Sequence, residues 1–220
     1  MLLSLALALA VAAPHPQNTL QRRALTAPSD AHFELTAFGG VPLLKDLYRA
    51  GGAGMGLDGG KLFGGRLAYH PGPKLGIELS YTRQKGDLKE RSGTTGFASP
   101  APFGELTVQQ ADVAALLSQA VDPQAKSRGF MVVGAGATRF EGDQAVSAGS
   151  SKATRFAWLV GLGTKLRLGA KTSLRLEGRY RNTRTNGDGD VYADANGNPY
   201  RYAKGWYRTG EVTAGITLRP

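Results

Sequence analysis

ATRFAWLVGLGTKLRLGAKTSLRLEGRYRNT, residues 153 to 183, alternates apolar and polar side chains in two long runs that meet at a very tight turn. Before Gly169-Ala170-Lys171, one face carries Phe156, Trp158, Val160, Leu162, Thr164, Leu166 and Leu168, and the other carries Ala157, Leu159, Gly161, Gly163, Lys165 and Arg167. After the turn, Leu174, Leu176, Gly178 and Tyr180 alternate with Arg175, Glu177, Arg179 and Arg181. Successive strand residues point to opposite faces, so this is a β-hairpin with one apolar and one charged face. Each arm runs about a dozen residues, where strands usually have five or six. A tilted membrane-spanning strand needs about 9–11 residues. The hairpin has the length and polarity of a membrane barrel wall.

The same period-two pattern recurs on both sides of this hairpin. Strand one, His32 to Leu44, sets Phe33, Leu35, Ala37, Gly39, Val41 and Leu43 against Glu34, Thr36 and Phe38. A glycine-rich loop, Lys45 to Gly60, leads to strand two, Leu62 to His70, with Phe63, Leu67 and Tyr69 opposite Arg66 and Ala68. The turn Pro71-Gly72-Pro73-Lys74 cannot continue a ladder, because its prolines lack N–H groups. Strand three, Leu75 to Gln84, sets Leu75, Ile77, Leu79 and Tyr81 against Gly76, Glu78, Ser80 and Thr82, and the polar loop Lys85 to Pro102 follows. In strand four, Phe103 to Ala120, Leu106 and Val108 share one parity while Val113, Ala115 and Leu117 share the other. A bulge near Gln109 to Ala111 reconciles them, since one extra residue flips the face; the competing reading is a helix over residues 108–121. After the connection Val121 to Ser127 comes strand five, Arg128 to Phe140, then the loop Glu141 to Lys152 and the opening hairpin. Arg184 to Lys204 is the longest polar insertion, and strand eight, Gly205 to Arg219, closes the series.

The eight strands are joined alternately by long and short connections, and the short ones are Pro71 to Lys74, Val121 to Ser127 and Gly169 to Lys171. Bacterial outer-membrane barrels have an even strand number, short periplasmic turns and longer external loops. On these features the chain resembles the OmpA-like and OmpX-like eight-stranded outer-membrane barrels, over about Ala31 to Arg219. The resemblance implies an all-β, eight-stranded antiparallel up-and-down transmembrane β-barrel in the cell outer membrane of a Gram-negative bacterium. One departure is the ending Leu218-Arg219-Pro220, where such families finish on an aromatic residue.

In this scheme Glu34, Arg66, Glu78, Lys165, Arg167, Arg175, Glu177, Arg179 and Glu211 face the lumen. An eight-stranded barrel is just wide enough for side chains to fill, and buried charges must pair. The expectation is therefore a salt-bridged interior and a non-enzymatic structural anchor or surface-interaction protein that displays its loops. The alternatives are a small diffusion channel and a soluble lipocalin-type barrel, which inverts the faces. Catalysis has few candidates. The histidines are His15, His32 and His70, and none stands two residues from a serine on a strand. The last loop, NGDGDVYADANGN, offers Asp188, Asp190, Asp194 and Asn196 to a calcium ion, but no Glu closes the pattern and Asn and Asp also favour turns. Tyr200, Tyr202, Trp206 and Tyr207 beside it suit either an interfacial aromatic belt or ordinary packing.

The formal charge of +10 is spread along the chain, with no basic run longer than Arg22-Arg23. This argues against nucleic acid and for anionic lipid head groups, lipopolysaccharide included. No cofactor is expected, and the partners are lipid and an unidentified extracellular ligand of a monomeric barrel. Cysteine is absent, which excludes disulfides and thiolate metal sites. Met1 to Ala13 reads as a signal peptide, or else as a short buried helix. Residues 14–30 read as a disordered leader, and residues 31–220 as the barrel domain.

Overall fold

The computed structural model describes residues 31–44, 46–50, 53–92, 104–120, 126–142, 152–185, 191–193, 199–201 and 205–220. The expected signal segment and leader lie outside them, as do Asp188, Asp190, Asp194 and Asn196. The strands are β1 (His32–Leu44), β2 (Asp46–Ala50), β3 (Ala53–His70), β4 (Leu75–Ser92), β5 (Gly104–Ala120), β6 (Ser127–Gly142), β7 (Lys152–Arg167), β8 (Thr172–Thr185), β9 (Val191–Ala193), β10 (Pro199–Arg201) and β11 (Gly205–Leu218). Each long strand pairs antiparallel with its neighbours in the sequence, and β1 pairs with both β3 and β11, which closes the sheet into a barrel. β2 continues β1 along β3, so the wall has eight staves. Closure gives each of the eight staves a hydrogen-bonded neighbour on both sides, which is what a lipid environment demands of a sheet.

The two faces separate by chemistry. Leu35, Val41, Phe63, Ile77, Leu79, Val113, Val133, Phe156, Leu162 and Ile216 are exposed on the outside, while charged and hydroxyl side chains are buried within. This is the reverse of a lipocalin-type barrel and excludes that reading. The interior needs glycines on its wall. A Cβ on Gly64 would lie 2.6 Å from the Phe38 ring, and one on Gly163 would overlap Phe130. Without side chains at these two positions, both rings fit across the lumen.

Three sequence expectations change. First, β5 is one uninterrupted strand, in continuous register with both β4 and β6, so it has neither a bulge nor a helix. Leu106, Val108, Gln110, Asp112, Ala114 and Leu116 all point inward. The apparent flip of face records an interior that changes from apolar to polar along the axis, while the backbone keeps its phase. Second, the stretches read as loops at Lys45–Gly60 and from Lys85 contain strand: β2 and the start of β3 in the one, the end of β4 in the other. Beyond the lipid the outer face meets water, so Lys85 and Asp87 are exposed on a paired strand and the hydrophobic alternation fades. Gly59-Gly60 forms an irregularity in the β3–β4 ladder between Asp58 and Lys61. Gly60 has φ +92° there, a conformation open mainly to glycine. Third, β9 and β10 form a small hairpin inside the insertion read as loop. Beside it, Trp206 faces outward but Tyr207 is buried inside, edge-on to Phe140 at 5.7 Å, so Tyr207 belongs to no outer belt.

Candidate functional site

The alternation of β8 places Arg175, Glu177, Arg179 and Arg181 in one inward row, and the neighbouring strands supply their partners. At the centre, Arg175 donates from Nη1 to Glu78 Oε2 at 2.6 Å and from Nε to Glu177 Oε2 at 2.9 Å. Arg179 bonds both Glu177 and Glu78, and its Nη1 donates to Ser80 Oγ at 3.2 Å. Arg66 stands 3.1 Å from Glu177 through Nη1 and donates from Nη2 to Thr213 Oγ1 at 3.3 Å. Three guanidiniums thus enclose two carboxylates, with Glu78 at 0% and Arg175 at 1% exposure. Guanidinium suits this position because its planar fork engages several oxygens at once and stacks on rings. Arg66 lies 3.7 Å above the Phe38 ring and Arg175 4.4 Å above Phe130.

The network continues in both directions along the axis. Toward the long-loop end, Ser80 Oγ donates to Asp112 Oδ2 at 3.2 Å, and Arg181 Nη2 donates to the same oxygen at 2.5 Å. Arg181 also bonds Gln110 and stands 3.6 Å from Glu211. At the short-turn end, Lys165 bonds Glu34, whose oxygens lie 3.4 Å from His32 Nε2 and 3.3 Å from His70 Nε2. Arg66, Lys165, Arg175, Arg179 and Arg181 therefore meet Glu34, Glu78, Asp112, Glu177 and Glu211, five cations against five carboxylates. Charges that pair in a partly dry interior attract far more strongly than in water, and the balance spares any of them the cost of burial alone.

Of the residues expected in the lumen, all but one join this system. Arg167 is exposed at the turn end, and its Nε donates to the Gly169 carbonyl at 3.1 Å. The reason is its position as the last residue of β7, beyond the level at which the wall encloses a side chain. Asp112 and Arg181 were not in the expected set. Arg181 extends the charged row of β8 by one more alternate residue. Asp112 shares the inward parity of β5 and was hidden by the bulge reading. The stacking of His32 and His70, rings 4.9 Å apart, had no sequence signal, because it depends on their pairing across β1 and β3.

Ala68, Ala114, Leu116, Phe130, Val132 and Leu159 form an apolar cluster, drawn mainly from β5, β6 and β7. The interior is thus filled by this apolar cluster and by the ion-pair network, which meet where Arg175 lies over the Phe130 ring.

Among solved structures, Neisserial surface protein A is similar in fold, with 17% identity, a TM-score of 0.55, and 86% of this chain and 99% of that one covered. OprG, an outer membrane protein from Pseudomonas aeruginosa, is similar at 10% identity and a TM-score of 0.51, with 87% of this chain and 94% of that one covered. No curated protein sequence compared with the chain matches it. The family model described as outer membrane protein beta-barrel domain matches residues 3–217. Because that match runs through every stave of the wall, the chain belongs to the outer membrane protein β-barrel domain family, and its place is the cell outer membrane.

Proposed function

We propose that the protein is a non-enzymatic membrane anchor with a closed lumen, whose role is to hold its long loops at the cell surface. The observation that carries this reading is the central network. Arg66, Glu78, Arg175, Glu177 and Arg179 bridge β3, β4 and β8 across the interior with side chains no more than 1% exposed. Ions crossing the barrel would have to part several of these pairs at once. In this reading its partners are lipid and lipopolysaccharide, supported by the apolar outer wall, and it acts as a monomer, supported by one copy of the chain closing the barrel by itself. An extracellular ligand, if the loops hold one, binds away from the lumen.

Planar-bilayer recording of the refolded protein tests the proposal. The wild type should show little conductance, and Arg179→Ala should show more. A large, steady wild-type conductance would replace the anchor with a diffusion channel. Display of the loops is tested separately, with epitope tags. A tag near Gly189 should be detected on intact cells, and one at Gly72 should require permeabilised cells; the opposite pattern would reverse the orientation.

A further inference from the structure

At the short-turn end the lumen opens into a recess of about 200 Å³, lined by residues from β1, β6, β7, β8 and β11, by Lys126 before β6, by the β7–β8 turn and by Arg219 beyond β11. Its described lining includes Lys126, Arg128, Lys165, Arg167, Lys171 and Arg219, with Glu34 the one carboxylate among them. Lys165 is bonded to Glu34, and Arg128, Arg167, Lys171 and Arg219 also surround the opening. Two of these have guanidiniums fixed by neutral carbonyls. Arg128 Nη1 donates to Pro73 O, and Arg167 Nε donates to Gly169 O, each at 3.1 Å. Each of these bonds uses one of the five N–H donors and neutralises no charge.

The backbone pins these residues near one another. The Arg167 amide donates to the Lys126 carbonyl and the Arg219 amide to the Lys171 carbonyl, both at 2.8 Å. Like charges gathered on a fixed scaffold repel one another, and they become favourable when an anion enters between them. Thr172, Ser173 and Thr217 add hydroxyl donors to the same recess. We infer that this mouth is an anion site that binds a phosphate group. The recess is smaller than the roughly 300–1,000 Å³ of drug-sized sites, so its occupant is compact, on the scale of inorganic phosphate or pyrophosphate. The floor, where Glu34, Lys165 and His70 meet below Phe130 and Arg175, makes it a blind vestibule and not the entrance of a path. In the periplasmic orientation of short turns, the same chemistry is offered by soluble phosphates and by the head groups of the inner leaflet.

The test titrates the full chain, refolded into phosphatidylcholine nanodiscs, with inorganic pyrophosphate and follows binding by calorimetry. Saturable binding at one site is expected. It should weaken about tenfold in Arg167→Gln and again in Arg128→Gln, the effect of losing one charge-assisted hydrogen bond, and it should fall as salt is raised. Arg208→Gln, exposed on the outer wall at the far end, should bind as the wild type does. Equal affinity in Arg167→Gln, Arg128→Gln and the wild type would overturn the proposal, as would an equal loss in Arg208→Gln, because either result means attraction to net charge alone. Retained heat-modifiable gel mobility shows that each variant is folded. Repeating the titration in nanodiscs containing phosphatidylglycerol separates the two sources. A several-fold weaker apparent affinity identifies a lipid phosphate as the occupant, and an unchanged one identifies a soluble anion.

Discussion

The middle of the lumen and its mouth at the short-turn end are both lined with charge, yet they obey different rules. In the middle, Arg66, Arg175 and Arg179 are each held by Glu78 or Glu177, and the neighbouring Arg181 by Asp112. Virtually no surface of these side chains reaches solvent. At the mouth, Glu34 is shared by Lys165, His32 and His70, while Arg128, Arg167 and Lys171 surround it with no second carboxylate among the described lining residues. Burial explains the difference. A charge enclosed by wall and neighbours must carry its counter-charge with it, whereas one that touches water is screened and can remain in excess. The central network therefore contributes to holding the barrel closed, and the mouth is left able to bind.

The contrast predicts a gradient of effects. The largest belongs to Glu78→Gln, which leaves three guanidiniums around the single carboxylate Glu177. Breaking one side of such a buried set costs about 3–5 kcal/mol, to be read from urea unfolding of the refolded barrel. A loss below about 1 kcal/mol would mean that water already solvates the centre and the contrast is false.

Next comes the wall that encloses the network. Leu176 sits between Arg175 and Glu177 but points outward, at 40% exposure. Leu176→Arg places a charge against lipid and should cost about 2–4 kcal/mol near the midplane. Spin labels should find position 176 accessible to lipid and position 177 not; water access at 176 would invert the faces.

A smaller effect is expected at the mouth. Lys165→Met removes the ammonium from Glu34 but leaves His32 and His70 beside it, so about 1–3 kcal/mol should be lost in the same unfolding assay. A cost matching that of Glu78→Gln would show the mouth to be as dry as the centre. The smallest effect is that of the surface pair Lys85–Glu105, 2.7 Å apart and about half exposed on each side. Lys85→Ala should change stability by no more than about 1 kcal/mol, and less in high salt. A larger change would give that pair a role in the wall beyond screened surface attraction.

How much of this was legible in the sequence differs from strand to strand. The β7–β8 hairpin was readable residue by residue, since lipid outside and ion pairs inside impose opposite chemistry on adjacent positions. β5 misled because Leu106 and Val108 are apolar but inward, where the lumen changes character. The ends of β3 and β4 misled for the opposite reason: above the lipid both faces tolerate polar side chains, so a paired strand looks like loop. Arg167 misled because parity gives direction and not depth.

By itself the sequence determined the period-two alternation, the alternation of long and short connections, and through them an eight-stave barrel with charge inside. These are local consequences of strand geometry and of a two-sided environment, so each can be read within one short segment. Only the tertiary structure decided which charges meet. Arg181 and Asp112 are 69 positions apart, Lys165 and Glu34 are 131 apart, and Glu34 of β1 and Arg128 of β6 come to one recess from strands that do not pair. Such meetings depend on the register of every ladder and on the closure of β1 onto β11 and β3. A slip of one residue anywhere in the ladders would turn an inward row outward, and no single stretch of the chain encodes the sum of those registers.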